Sequence, residues 1–327
     1  APRKTEAALT MDYDVFNGDA DGICALIQLR RADPKPDAEL ITGVKRDIEL
    51  LQRVPSHEGD RVTALDISFD KNRDDCIRLI EAGAEVFFCD HHFSGDVPVH
   101  ERLTVLMSAS PVVCTSALIN GRLRGEFAEW AVVGCFGDNL DTTADTIIGK
   151  MSYSVDRQAL RQLGVCVNYN AYGASAADLH IEPAALYRRM QQHKSPTAMI
   201  SDDRDLFEML TDAYRLDMHS AQSAPRAVDD DDLVVVSLPD ASWSRRVSGV
   251  LGNDLANQSP NKAHAVLTDV QGGYLVSVRA PLNNRTGADD VCRQFKTGGG
   301  RAAAAGINHL PREELGRFID ALRQQFG

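Results

Sequence analysis

Between residues 13 and 90 the chain repeats one pattern. A short apolar run rich in β-favouring residues gives way to polar residues, and then to a stretch with apolar residues at helical spacing. The apolar runs are 13–16, 40–42, 62–65 and 86–89. Ile23, Leu26, Ile27 and Arg30 mark the first helix, which Pro34 and Pro36 stop. The spacing predicts a second helix over 48–54. A third is predicted over 71–82, with Ile77 and Ile80 on one face and Gly83 ending it. This β-α-β-α-β-α-β order demands a parallel sheet, because only a crossover helix returns the chain to start a parallel neighbour. Every strand then points the same way, and ligands bind outside the carboxyl ends.

Three of the four runs end in acidic residues. Asn17-Gly18-Asp19-Ala20-Asp21-Gly22 follows the first, Asp66 the third, and Asp90-His91-His92 the fourth. All three groups therefore fall on one edge of the sheet. Ionisable groups at the end of an apolar strand are costly unless something organises them. Asp19 and Asp21 lie on the same side of an extended turn, and with Asp66 and His91 they can supply ligands for two divalent ions. Two ions about 3.5–4 Å apart can activate a bridging water and neutralise a phosphoryl oxygen. Neutral imidazole among carboxylates favours Mn²⁺ over Mg²⁺, and Zn²⁺ is also compatible. His91 and His92 are adjacent in an extended segment, so they point different ways. One can bind metal while the other hydrogen-bonds a phosphate oxygen or assists the leaving group. Lys45 and Arg46 follow the second strand on the same edge. They suit either a substrate phosphate or a surface pair at a helix start.

From 110 to 145 the pattern is helical, over 116–123 and 126–136, and ends at Gly137-Asp138-Asn139-Leu140-Asp141. Residues 150–225 read as mainly helical. The four aspartates at 229–232 read as a solvated linker or strand lead-in. A second unit begins with the β-type run 233–236. Runs 263–270 and 274–280 flank Gln271-Gly272-Gly273 as a hairpin, and a helix is predicted over 289–295. The last helix puts Leu315, Phe318, Ile319, Leu322 and Phe326 on one face. Between them, Gly298, Gly299 and Gly300 form either a flexible loop or a backbone that an anion can approach closely. Arg301 beside them can offer a bidentate fork to phosphate, and Arg279 is a further anion candidate. The fold class is α/β, with a parallel-sheet unit over 11–150, a helical segment over 151–228 and a smaller α/β unit over 229–327.

A length of 327 residues allows two cores. The net charge of −12 repels long polyanions and leaves no basic stripe, which favours small anionic substrates over long duplexes. No apolar run approaches the ~18 residues of a membrane span. The stretch APRKTEAALT lacks the apolar core of a secretory signal and reads as a lead-in or expression remnant, with Met11 starting the folded part. Seven scattered cysteines without a CxxC pair point to reduced thiols and a cytoplasmic protein, not to disulfides or structural zinc.

NGDADG at 17–22, LD at 65–66, DHH at 90–92 and GDN at 137–139 resemble, in order, the four motifs of the DHH phosphoesterase superfamily. GGGRAAAAG at 298–306 resembles the GGGH-x-x-AAG signature of its DHHA1 subgroup, and SVRA at 277–280 fits as well. That subgroup includes RecJ-type exonucleases, nanoRNases and cyclic-dinucleotide phosphodiesterases. The resemblance covers about residues 12–145 and 230–310. It implies two Mn²⁺ ions in a cleft between two α/β domains. By motif position, Asp19, Asp21, Asp66, His91 and Asp138 are then metal ligands, with Asp66 bridging. Asp90 supports the site, His92 faces the scissile phosphate, and the glycine run holds a terminal nucleotide or its phosphate.

Two positions depart from the pattern. Asn17 stands where many relatives carry His or Asp, and a neutral amide is the weaker ligand. Arg301 stands where the family has His, and it can bind phosphate but not relay a proton. The reading that follows is a Mn²⁺-dependent phosphodiesterase releasing mononucleotides from short RNA or DNA oligonucleotides or linear dinucleotides. Alternatives are cyclic-dinucleotide hydrolysis, 3′-phosphoadenosine-phosphate dephosphorylation, RecJ-like exonuclease activity, or nucleotide binding without turnover. No membrane partner is expected. The apolar helical segment would permit a homodimer.

Overall fold

The computed structural model describes residues 10–327, so the predicted lead-in at 1–9 lies outside the described residues. The N-terminal alternation folds as β1 (Asp12–Asn17), α1 (Ala20–Ala32), β2 (Glu39–Gly43), β3 (Arg61–Leu65), α2 (Phe69–Glu81), β4 (Glu85–Asp90) and β5 (Leu103–Met107). The five strands are parallel, in the order β2-β1-β3-β4-β5. The chain therefore reverses its direction of travel across the sheet at β1 and β3. Their carboxyl ends open the crevice where doubly wound sheets bind ligands.

Side-chain alternation divides the core into two layers. Phe16, Leu65 and Cys89 face α1 and the helices that follow β5. Val15, Ala64 and Phe88 face α2. On α2 the inward residues are Phe69, Cys76, Leu79 and Ile80, whereas Ile77 is only half-buried.

Two expectations fail in this unit. The helix predicted over 48–54 is a single 3₁₀ turn, Leu51–Arg53. Asn72 explains it: its side chain donates to Ile48 O (2.6 Å) and accepts from Leu51 N–H (3.1 Å). These bonds satisfy the backbone without a helix, and seven residues are too few to overcome helix nucleation. The fifth strand, β5, was not expected. It is an edge strand, Leu-Thr-Val-Leu-Met, whose Thr104 and Val105 are exposed, and no helix separates it from β4, so it falls outside the repeating strand-helix pattern.

Helices α3 (Thr115–Arg122), α4 (Ala128–Gly137), α5 (Asp141–Ile148), α6 (Arg157–Asn170), α7 (Pro183–Met190), α8 (Pro196–Asp202) and α9 (Arg204–Ala221) follow. Residues from all of them share the core layer on the α1 side of the sheet. Close approach of α4 and α6 depends on glycine: a Cβ at Gly164 would lie 2.4 Å from Val133 O.

The C-terminal unit contains β6 (Arg226–Asp229), β7 (Leu233–Leu238), α10 (Ser242–Gln258), β8 (Ala263–Val270), β9 (Gly273–Arg279), α11 (Ala288–Cys292), β10 (Gly298–Gly300), β11 (Ala304–Pro311) and α12 (Leu315–Phe326). Its sheet order is β10-β11-β9-β8-β7-β6, antiparallel except for β7 and β8. One face packs on α11 and α12, the other on α10. The aspartate run forms the turn between β6 and β7, where Asp230 Oδ1 accepts from Leu233 N–H (2.9 Å). Gly298, Gly299 and Gly300 form an edge strand paired with β11, not a loop. Glycine is needed there because a Cβ on Gly298 would sit 1.7 Å from Cys292 O. The helix predicted over 289–295 is shorter, ending at Cys292 so that the chain can turn into β10.

Candidate metal centre

β1 ends at Asn17, and Asp19 caps α1 by accepting from Gly22 N–H through Oδ1 (2.9 Å). One turn later, Asp21 points away from its own helix. Its Oδ2 accepts from Thr115 N–H (2.8 Å) and its Oδ1 from Ser116 N–H (2.6 Å), so it sits at the N-terminus of α3. Asp66 follows β3 with φ of 59°, a left-handed conformation that non-glycine residues rarely adopt. That backbone turn directs its carboxylate back over the sheet edge, where Thr115 Oγ1 donates to Oδ1 (3.2 Å). Asp138 ends α4.

His91 stands at the centre. Its Nδ1 lies 2.8 Å from Val113 O, and a carbonyl can only accept, so Nδ1 carries the proton and Nε2 presents a lone pair. That Nε2 lies 3.1 Å from Asp66 Oδ1, 3.4 Å from Asp138 Oδ2 and 3.5 Å from Asp21 Oδ2. Burial pushes the His91 pKa down to about 4, so the imidazole is neutral. Burial also pushes Asp21 up to about 7, with Asp138 and Asp19 adding to the shift. The same causes raise Asp66 well above the usual carboxylate range.

Three carboxylate oxygens thus surround the imidazole lone pair, and Asp138 Oδ2 is buried with no hydrogen-bond partner. Electron-rich atoms gathered this way repel one another unless a cation joins them. Ligand atoms lie close enough together to share one ion in two overlapping groups, Asp21–His91–Asp138 and Asp66–His91–His92; both contain His91, whose single free nitrogen can serve one ion at a time. This donor set of oxygens and one neutral imidazole suits a borderline divalent cation.

His92 turns the other way. Its Nδ1 lies 2.6 Å from Asp90 Oδ1, which leaves Nε2 toward the cleft. Burial opposes protonation of His92, but the Asp90 carboxylate outweighs it and raises the pKa. Burial likewise opposes the Asp90 charge, which His92 more than restores. Asp90 Oδ2 accepts from Phe69 N–H (3.3 Å). Asp90 therefore orients His92.

The cleft between the two units has a volume of about 400 Å³. Its cationic lining is Lys45, Arg46, Lys71, Arg279, Lys296 and Arg301, in a chain of net charge −12. Arg46 crosses the interface, donating from Nη2 to Val276 O (2.9 Å) and Ser277 Oγ (2.8 Å), while its Nε has no partner. Burial pushes Arg46 down to about 10. Arg279 donates to Asn253 Oδ1 (2.5 Å), Gly249 O (3.0 Å) and Tyr172 OH (3.3 Å). Among the described residues no carboxylate pairs with either guanidinium. A half-buried and a buried positive charge without counter-ions are costly alone and suit an anion entering between the units. The β10 strand forms the wall opposite, and nothing but Lys71 Cε comes within 4 Å of a Cβ built on Gly299.

Three expected residues take other positions. Asn17 is not an open ligand: its Oδ1 accepts from Asp19 N–H (3.2 Å) and its Nδ2 donates to Lys45 O (3.0 Å), so it braces the turn. Lys45 lines the cleft with its ammonium already engaged: Nζ binds Asp19 Oδ2 and lies 3.7 Å from Asp138 Oδ1. Arg301 reaches across to Asp138, donating from Nη2 to the backbone O (3.1 Å) with Oδ1 at 3.4 Å, while its buried Nη1 has no partner. The Val113 carbonyl, Thr115 and Ser116 were not anticipated. Their only signal was the start of the helix predicted at 116, whose free backbone N–H groups can take a carboxylate.

Residues 230–327 match the family model of the DHHA1 domain. No curated protein matches the chain by sequence. Among solved structures, the chain resembles RecJ in complex with Mn²⁺ from Thermus thermophilus, at 18% identity and a TM-score of 0.55 over 96% of this chain and 51% of RecJ. It therefore spans about half the length of that relative. It also resembles the pGpG-specific phosphodiesterase PggH from Vibrio cholerae, at 16% identity and a TM-score of 0.51, covering 96% of this chain and 98% of PggH. An exopolyphosphatase-related protein from Bacteroides fragilis matches at 14% identity and a TM-score of 0.50, over 96% and 92%. At these identities the likeness is one of fold. The C-terminal third is a DHHA1 domain, the whole chain shares the RecJ-type fold, and the DHH motif lies at the carboxyl edge of its parallel sheet. By sequence, then, the match to a known family is to the DHHA1 domain over residues 230–327, and across the rest of the chain the likeness to RecJ and PggH is one of fold.

Proposed function

We propose that this protein is a metal-dependent phosphodiesterase that hydrolyses short oligonucleotides or linear dinucleotides, with Mn²⁺ as the preferred ion. The observation that carries the reading is His91 Nε2 facing Asp21, Asp66 and Asp138 at 3.1–3.5 Å with no protein cation between them. These four side chains would hold the ion. A divalent ion there supplies Lewis acidity toward a phosphoryl oxygen and toward the attacking water.

The rest of the chemistry belongs to side chains. His92, fixed through Nδ1 by Asp90, donates a proton from Nε2 to the leaving oxygen. Arg46 and Arg279 hold a second phosphate, away from the scissile one, and so position the substrate. Glycine at 299 lets the nucleotide lie close to the β10 wall. A cleft of about 400 Å³ suits one or two nucleotides, and the net charge of −12 disfavours a long polyanion. The seven free and buried cysteines fit a reducing, cytoplasmic setting.

The test is hydrolysis of end-labelled RNA and DNA ladders of two to about ten nucleotides with Mn²⁺, Mg²⁺ or chelator. pGpG, cyclic dinucleotides and 3′-phosphoadenosine-phosphate complete the panel. The expected result is Mn²⁺-dependent release of mononucleotides, fastest on dinucleotides and lost in His91→Ala. Rates that climb with length would indicate a RecJ-like exonuclease instead. Ion binding without any turnover would leave a nucleotide-binding protein.

A further inference from the structure

The acidic centre contains two places for positive charge, and they are not alike. The first is the convergence of Asp21, Asp66 and Asp138 Oδ2 on His91 Nε2; Arg301 and Lys45 approach only the other oxygen of Asp138, Oδ1. The second lies on the Asp19 side, where the Lys45 ammonium contacts Asp19 Oδ2 and stands 3.7 Å from Asp138 Oδ1. We propose that Lys45 Nζ is a built-in cation filling this second position, so that the protein takes one divalent ion and not two. The inference rests on the metal-centre reading above and specifies its stoichiometry.

Lys45 is built into place. Its backbone N–H donates to Ala171 O (2.9 Å), its carbonyl accepts from Asn17 Nδ2 (3.0 Å), and its ammonium lies 5.8 Å from the Tyr172 ring centroid. The residues around it are correspondingly unsuited to a metal. Asp19 Oδ1 caps α1 and Oδ2 binds Lys45, while both amide atoms of Asn17 hold backbone. A divalent ion needs several open oxygen or nitrogen donors, and these two side chains offer none. Formal charge points the same way. Asp19, Asp21, Asp66 and Asp138 carry four negative charges. Lys45, Arg301 and one divalent ion carry four positive ones, and a second divalent ion would leave an excess before any phosphate arrived.

The experiment counts ions. The full chain is stripped with chelator and titrated with Mn²⁺ by calorimetry, with electron paramagnetic resonance reading whether bound ions are isolated or exchange-coupled. Wild type is expected to bind one isolated Mn²⁺ per chain, lost in His91→Ala. Lys45→Ala, checked for native circular dichroism, is expected to bind two. Two coupled ions in wild type would overturn the inference and leave the metal-centre reading intact. One ion in both wild type and Lys45→Ala would also overturn it, because the lysine would then not be what fills the position. No bound ion in wild type would overturn the metal-centre reading and this inference with it. The wild-type count decides the matter even if Lys45→Ala does not fold.

Discussion

Asp90 touches no other group of the acidic centre, yet it determines which nitrogen His92 presents. A carboxylate 2.6 Å from Nδ1 fixes the tautomer with Nε2 toward the cleft. Asp90→Asn is expected to lower kcat by about 100-fold, the lower end of the usual contribution of a proton-transfer group. Mn²⁺ affinity should change far less, and calorimetry beside steady-state kinetics would separate the two effects. His264, on β8 and far from the centre, gives a stability prediction. Burial, with Lys262 and Arg226 nearby, pushes its pKa down to about 4, against about 6.5 in the unfolded chain. Between those values the unfolded chain binds the proton and the folded one does not. Stability is therefore complete above pH 6.5 and falls as pH drops toward 4, by on the order of 2–3 kcal/mol from this group. Urea midpoints measured across that range should flatten in His264→Gln relative to wild type.

Helix α4 carries Asp138 at its end, and its position depends on glycine contacts with α6. Gly164→Ala would place a methyl 2.4 Å from Val133 O and 3.0 Å from Phe136 Cβ. The helices must then separate, at about 1–3 kcal/mol. The expected result is a lower urea midpoint with an unchanged slope. Because Asp138 moves with α4, weaker Mn²⁺ binding should accompany it. The same scale shows what the sequence withheld. Four strands were legible because each is a short run of β-favouring residues set between turn signals and helical spacing. β5 was not, because no helix separates it from β4 and it falls outside the strand-helix alternation. The 48–54 segment carried helical periodicity, but Asn72, from another helix, satisfied its backbone first. The glycine run read as a flexible loop or an anion-approach backbone, not as a strand, because glycine lacks β propensity, whereas the crowding by Cys292 that requires it is a tertiary contact.

Across the whole molecule, the cleft exists because the two units meet through polar bonds. Arg46 reaches Ser277, Arg301 reaches Asp138, and Asn139 and Asn257 exchange hydrogen bonds at 3.0 and 3.2 Å. Arg46→Ala removes both an interface bond and one of two unpaired guanidiniums. For a substrate with a second phosphate it is expected to raise KM about 10-fold or more, with a smaller change in kcat. For a substrate lacking that phosphate the KM change should be small. Kinetics on matched dinucleotides with and without a terminal phosphate would check this.

The sequence by itself determined the parallel sheet and the edge on which Asp19, Asp21, Asp66 and His91 gather; Asp138 joined them only through the family resemblance. The sheet and its edge follow from local periodicity and from the fact that parallel strands all end on one side. Only the tertiary structure decided how each group is used. Lys45 and Arg46 are neighbours in sequence, yet one enters the acidic centre and the other crosses to the second sheet. Asn17 braces a turn instead of facing an ion. The physical reason is that a side chain's role here depends on which partner first satisfies its hydrogen bonds and charge. Those partners lie dozens to hundreds of residues away, where sequence pattern carries no information about them.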